Sequence, residues 1–335
     1  MTHVAFQTAT GSAVLARFDY FVAVFFALSA FLLARGTPRP GYYSRRLARI
    51  APAYVVCVIV VALTLPELSR LDAPTFLANL FLVQIYAPDA LIPGLTQMWS
   101  LCVEVAFYLV LPLYLVLRPR GRWTFLAVAV TASLAWPWLV DSVTAVNMQI
   151  WPPSYLPWFA VGLVCAELER RGVSSPLPGW ARWPVAFTAL PVAWLGGTLG
   201  PQGLEHPSPA EFNVRVLLGA VFAAVLVAPF ALGPRDNGLL ASAPMARLGR
   251  WSYSIFLWHV AVLSFAFPVL GIPVFSGRFL PVLAVTAVAS VAAAYVSYEL
   301  VEVPGARWVR QGLARLQAGR RGTPAPRARH SLRRA

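Results

Sequence analysis

Five short segments set polar or charged side chains among long apolar runs, where each costs free energy unless it has a partner or a task. Arg46 and Arg49 stand three residues apart. A helix would place both on one face, and two guanidiniums there can clamp a phosphate through charge-assisted bonds. Glu104 lies five residues beyond Trp99 and one turn before Tyr108, about 7 Å into a span at 1.5 Å per residue. His259 follows Tyr253 inside another apolar run, and an imidazole can take or give a proton near neutral pH. Asp19 stands at the mouth of the first run, and Ser29 lies within it among Ala27 and Ala30, small residues that suit close helix contact. Glu302 sits where the last run ends, just before Pro304.

Each of these has a plain structural alternative. Arg46 and Arg49 read equally as anchors at a membrane surface. Asp19 reads as a helix-terminal charge stabilised by the dipole, Glu104 as half of an ion pair joining two helices, His259 as a packing donor, and Glu302 as a paired terminal acid. Spacing alone leaves both readings open.

The elements that must position these residues are membrane helices. The 335 residues are 59% hydrophobic and 12% charged, about half the charge of a soluble domain. That composition excludes a water-soluble enzyme, a disordered chain and a small disulfide scaffold. Apolar runs long enough to span, roughly 20 residues each, fall at about 20–34, 50–66, 99–117, 123–140, 155–169, 183–199, 214–232, 253–270 and 279–300. The expected fold is an all-α polytopic bundle of about nine transmembrane helices. The stretch 75–87 is apolar but short, and is expected to be interfacial or re-entrant. Cys57, Cys102 and Cys165 all lie in apolar runs without metal or disulfide spacing.

The charge pattern sets an orientation. Twenty-seven Arg and 13 acids give +14, and the Arg clusters lie between spans, so the positive-inside rule accounts for them better than nucleic acid does. Arg35, Arg39, Arg45, Arg46 and Arg49 mark one connection, and nine Arg from Arg307 to Arg334 mark the tail. Both are expected in the cytoplasm, with residue 1 outside. The membrane domain is expected to cover 1–304, and 305–335 to be a disordered Arg-rich tail.

Taken in order, the segments resemble acyltransferase family 3, the integral-membrane O-acyltransferases of sugars, lipopolysaccharide, exopolysaccharide and antibiotics. The family's Phe-Phe-x-Leu-Ser-Gly-Phe-Leu appears as Phe25, Phe26, Leu28, Ser29, Ala30, Phe31 and Leu32. Its Arg-x-x-Arg-Ile-x-Pro-x-Tyr is Arg46, Arg49, Ile50, Pro52 and Tyr54. Trp99, Ser100, Leu101, Glu104, Phe107 and Tyr108 match a third element, and Ser252, Tyr253, Leu257, Trp258 and His259 a fourth. Glu302 and Pro304 close the series. Two departures stand out. Ala30 replaces a glycine, and His3 falls where the family's first-helix histidine would sit, without that helix and its Arg before it.

The resemblance implies acyl transfer from a cytoplasmic acyl-CoA, typically acetyl-CoA, to a hydroxyl of a carbohydrate, lipid-linked glycan or small molecule. It places Arg46, Arg49 and Ser29 with the donor, and His3, Asp19 and Glu104 with the catalysis, His3 taking the proton and Asp19 orienting its ring. Trp99, Tyr108, Tyr253, His259 and Glu302 complete the motifs. The expected partners are acyl-CoA, the acceptor and membrane lipid; no nucleic acid, metal or permanently bound cofactor is expected. The missing helix suggests that Met1 is not the natural start, and leaves His3 on an end with nothing to hold it. The alternatives are an inactive truncated relative or a non-enzymatic transporter.

Overall fold

The computed structural model describes residues 1–36, 41–143, 145–199, 205–234 and 238–320. The described residues form helices joined by turns, with no strand among them. In chain order the helices are α1 (Thr2–Gln7), α2 (Ala13–Ala16), α3 (Phe21–Ala34), α4 (Tyr42–Thr64), α5 (Ala73–Leu80), α6 (Trp99–Val116) and α7 (Pro119–Val140). They continue as α8 (Leu156–Arg170), α9 (Gly179–Phe187), α10 (Ala189–Thr198), α11 (Pro209–Ala231), α12 (Ala243–Leu270), α13 (Phe279–Ser297) and α14 (Val303–Arg320). In hydrocarbon a helix satisfies its own backbone, which is why these apolar runs fold as they do. The protein is a multi-pass membrane bundle.

Seven helical segments are long and apolar enough to cross a membrane. The other two expected spans are shorter. The run at 155–169 becomes α8, of 15 residues, about 22 Å long. The run at 183–199 breaks at Thr188 into α9 and α10. Pro191 supplies the reason: it has no N–H, and its ring crowds the carbonyl four residues back, that of Phe187, where α9 ends. The stretch expected to be re-entrant is α5 followed by a 3-10 turn at Gln84–Tyr86. Asp72 caps α5 by accepting from Thr75 N at 2.7 Å.

The Arg-rich tail corrects an expectation. From Val303 to Arg320 the chain is helical, continuing α13 through a π-turn at Tyr298–Glu302. It is ordered because it has something to pack on: Gly305 sits on Pro52 of α4 and Ala306 is buried. The expected boundary at 304 therefore falls inside a helix. Residues 321–335 lie outside the described residues.

The core is built around α3. Ala23, Ala27, Ala30 and Ala34 are fully buried, spaced so that one flat stripe runs down the helix. Across that stripe lies α8, whose Gly162 brings the backbones together. A Cβ at Gly162 would run into the Ala27 carbonyl and stand 2.8 Å from Phe31 N. Beside the seam Phe26, Phe159 and Phe107 stack at 4.4 and 4.2 Å. One end of the seam is locked by charge. Buried Glu167 accepts from Tyr114 at 3.0 Å and Arg122 at 3.2 Å and also pairs with Arg170. Nearby, Arg35 grips Glu169 through two bonds of 2.7 and 2.6 Å.

A second axis sets the depth of the polar residues. α4 and α12 run parallel, tied by Tyr253 OH to Ile50 O at 2.9 Å and, further along, by Cys57 Sγ to Leu257 O at 3.5 Å. At that second level Gln97 Nε2 also donates to Leu257 O, at 2.9 Å.

The α3–α8 contact yields a direct test. Gly162→Ala should lower the apparent Tm of the detergent-solubilised protein, since overpacking costs about 1–3 kcal/mol. Gly249→Ala, in α12 with open space around it, should hold or raise it through helix propensity, by up to about 1 kcal/mol. A Gly162→Ala protein that melts with the parent would show that the seam is loose.

Candidate functional site

Two polar clusters lie on the α4–α12 axis. The first surrounds the start of α4. Glu302, delivered by the π-turn, is buried. It pairs with Arg49 and accepts from Ser254 Oγ at 2.8 Å. The Arg49 guanidinium lies 5.7 Å over the Tyr253 ring. Its charge is therefore compensated within the protein.

Arg46, one turn earlier, is different. Its guanidinium lies 5.9 Å over the Tyr108 ring. Its buried Nε has no hydrogen-bond partner, and among the described residues it makes no ion pair. The Tyr42 hydroxyl, which faces Arg46 and Glu104, is also buried and unpartnered. Beside them Glu104 accepts from Ser29 Oγ at 2.7 Å and from the Tyr108 hydroxyl. Both hydroxyls donate to Oε1, and among the described residues no cation lies within ion-pair distance of Glu104 as a helix-joining ion pair would require. Ser29 joins the Arg46 end through this carboxylate.

The second cluster lies further along α12. From Tyr253 to His259 the helix climbs about 9 Å. His259 Nδ1 is 2.8 Å from Phe256 O, and its ring centroid is 5.5 Å from that of His3. His3 belongs to α1, outside the seven spans, and α1 is packed. Val4 is buried against Leu263, Phe267 and Val282, Thr2 Oγ1 donates to Leu15 O at 3.0 Å, and Phe275 N donates to Gln7 O at 2.7 Å. The expectation of an end with nothing to hold it is corrected by these contacts. Burial first, and His259 second, push the His3 imidazole down to about 4. The ring is neutral at pH 7.

The three residues expected to act together are not brought together. Asp19 lies 3.5 Å from Arg17, whose Nε donates to Gly196 O at 2.9 Å. Arg215 of α11 also faces it. No hydrogen bond or ion pair among the described residues joins Asp19 to His3. The turn Phe18–Tyr20 carries Asp19 toward α10 and α11, where two guanidiniums draw the carboxylate. Glu104 belongs to the Arg46 cluster. Trp99 packs on Tyr155 at 4.9 Å, at the start of α6.

Several contributors escaped sequence reasoning. Ser254 lies within the 252–259 element but is not one of its motif residues, and Tyr42 lies just before the element that begins at Arg46. Arg215 carried a signal, a charge inside an apolar run. An apolar cavity of about 250 Å³ opens between α6, α7 and α8, lined by Phe107, Tyr114 and Phe159 among others; none of the expected site residues lines it. Among the described residues no three His, Cys, Asp or Glu side chains converge as metal ligands would.

Comparison with known proteins bears on this arrangement. A family described as the acyltransferase domain, of acyltransferase family 3, matches residues 1–299. Acyltransferase MdmB of Streptomyces mycarofaciens is 30% identical over 283 residues, 75% of this chain and 69% of its own length. Exopolysaccharide production protein ExoZ of Rhizobium meliloti is 28% identical, over 88% of this chain and 92% of its own. O-acetyltransferase OatA of Staphylococcus aureus is 23% identical over 67% of this chain, and the match covers 41% of OatA. No solved structure matches. Arg46, Arg49, Glu104 and His259 all lie within the family's stretch, and the chain belongs to acyltransferase family 3, as a multi-pass membrane O-acyltransferase.

Proposed function

We propose that the protein moves an acyl group, acetyl in the first instance, from a cytoplasmic acyl-CoA at the Arg46 end to a hydroxyl at the His3 end. The observation that carries this reading is an inequality within one motif. Arg49 is neutralised by Glu302, whereas Arg46 makes no ion pair among the described residues, and its Nε lacks an acceptor beside an unpartnered tyrosine hydroxyl. A guanidinium N–H buried without an acceptor is costly, and a donor phosphate would supply one. On this reading Ser29, Glu104 and Tyr108 shape the donor side, and Arg49 with Glu302 fixes the wall that holds Arg46.

At the other end, neutral His3 takes the proton of the acceptor hydroxyl as its oxygen bonds the thioester carbonyl carbon. The C–S bond breaks, and the departing thiolate receives the proton back. Asp19, with Arg17 and Arg215, is assigned to the acceptor's surroundings and not to the ring of His3. The acceptor is proposed to be a carbohydrate, free or lipid-linked. The named relatives in exopolysaccharide production and O-acetylation support that class and the acetyl donor.

Three measurements test the scheme. Maleimide labelling of intact cells should miss a Ser44→Cys variant, since the start of α4 faces the cytoplasm; ready labelling would invert the topology. Coenzyme A binding to the protein in nanodiscs should weaken tenfold or more in Arg46→Ala, the loss of one charged hydrogen bond at about 1.5–3 kcal/mol. Arg49→Ala should instead lower the yield of folded protein, because Glu302 is left buried and unpaired, at about 3–5 kcal/mol. Equal effects of both on binding, with normal folding, would return the two arginines to one role. Finally, Glu104→Gln keeps shape and removes charge, and should cut thiol release from acetyl-CoA by membranes at least tenfold. Full turnover would leave Glu104 a packing residue.

A further inference from the structure

An imidazole acting as a base must hold one nitrogen as a lone pair aimed at the hydroxyl and its other nitrogen as N–H. In hydrolytic triads a carboxylate enforces that choice from behind. Among the described residues no carboxylate is bonded to His3; Asp19 lies against Arg17 and Arg215 instead. The group that stands against the His3 ring is His259, with centroids 5.5 Å apart and the planes inclined at 51°. At that separation a nitrogen of each ring, both aimed along the line between the centroids, stands about 3.2 Å from the other, the outer edge of a hydrogen bond.

The tautomer of His259 follows from its other contact. Phe256 O can only accept, so Nδ1 of His259, 2.8 Å away, carries the proton. In the neutral ring Nε2 is then a lone-pair acceptor. The α-helix fixes this: His259 bonds the carbonyl three residues back on its own helix, and Phe256 is itself held by stacking on Phe25 at 6.0 Å and 7°. Nε2 therefore has a set character and a set place.

We infer that His259 is the positioning residue of the catalytic base: its Nε2 accepts the N–H of His3 and so fixes the nitrogen that His3 presents to the acceptor hydroxyl. The relay is Phe256 carbonyl, His259, His3, hydroxyl. No proton need move along it; each link sets the tautomer of the next. The inference rests on His3 being the base.

The side-chain amides discriminate this role from packing. Asn places its polar tip near the position of Nδ1 and can keep the bond to Phe256 O, but has nothing at Nε2. Gln reaches the position of Nε2 and can present an acceptor to His3. Acetyl transfer from labelled acetyl-CoA, in membranes of the native host, should therefore fall ten- to a hundredfold in His259→Asn and His259→Ala. His259→Gln should stay within about fivefold of the parent. Coenzyme A binding should be unchanged in all three. A role confined to helix packing gives the reverse, with Asn active and Gln impaired, and that result overturns the inference. Equal activity in all three overturns it too.

His3→Ala runs beside them. If it transfers at the parental rate, the base assignment itself fails; if it is inactive while His259→Ala is unaffected, only the role of His259 fails. Nitrogen NMR of the histidine-labelled parent protein in nanodiscs needs no variant to fold. A single hydrogen-bonded tautomer for His3 supports the inference, and a ring exchanging freely between tautomers overturns it.

Discussion

The charge on Arg46 is the feature on which the rest of the interior depends. In a membrane each buried ion must find its compensation inside the protein, and among the described residues several charges find it in ion pairs. Glu302 has Arg49, Glu167 has Arg122 and Arg170, Glu169 has Arg35, and Asp19 has Arg17. Glu104 could have closed on Arg46 but takes its hydrogen bonds from Ser29 and Tyr108 instead. With Oε1 of Glu104 taken by two hydroxyls, Arg46 and Glu104 stand near each other without closing into an ion pair. The arrangement of α3 against α6 is thus a condition for the cation to stay available.

That condition is met by packing. Ser29 reaches Glu104 only because α3 is held at a fixed height, and the height is set by its alanine stripe against Gly162 of α8. Methyl groups have no rotamers, so the seam has little freedom to slide. The Glu167 cluster, with Arg170 also bonded to the Ala34 carbonyl, pins the same two helices at one end. Apolar close packing and ionic locking serve one purpose here, which is to keep a few polar atoms at constant separation.

Much of this was legible in the sequence. Apolar run length gave the spans, because the hydrocarbon thickness imposes it. The partner of Glu302 was expected as a class, though not as Arg49. What could not be read was which polar residues meet, since contacts between helices depend on rotation and depth. Asp19 and His3 are 16 residues apart yet face different helices. The break between α9 and α10 was readable from Pro191 in principle, but proline is tolerated inside other spans here, as at Pro52 and Pro112. The helical tail was hidden because α14 is ordered by Pro52, some 250 residues earlier in the chain.

The replacement of the family glycine by Ala30 shows how such a departure is absorbed. A methyl there would matter if the backbone of α3 had to touch a ligand or another helix at that point. The close approach is made instead by the glycine across the seam, Gly162, against Ala27 and Phe31 on either side of Ala30. Ala30 is fully buried and fills space within the stripe. The substitution therefore acts on helix packing and not on the polar cluster, whose nearest member, Ser29, turns toward α6 on the other side of the same helix. A motif read as one unit in sequence divides here into two faces, one that packs and one that bonds.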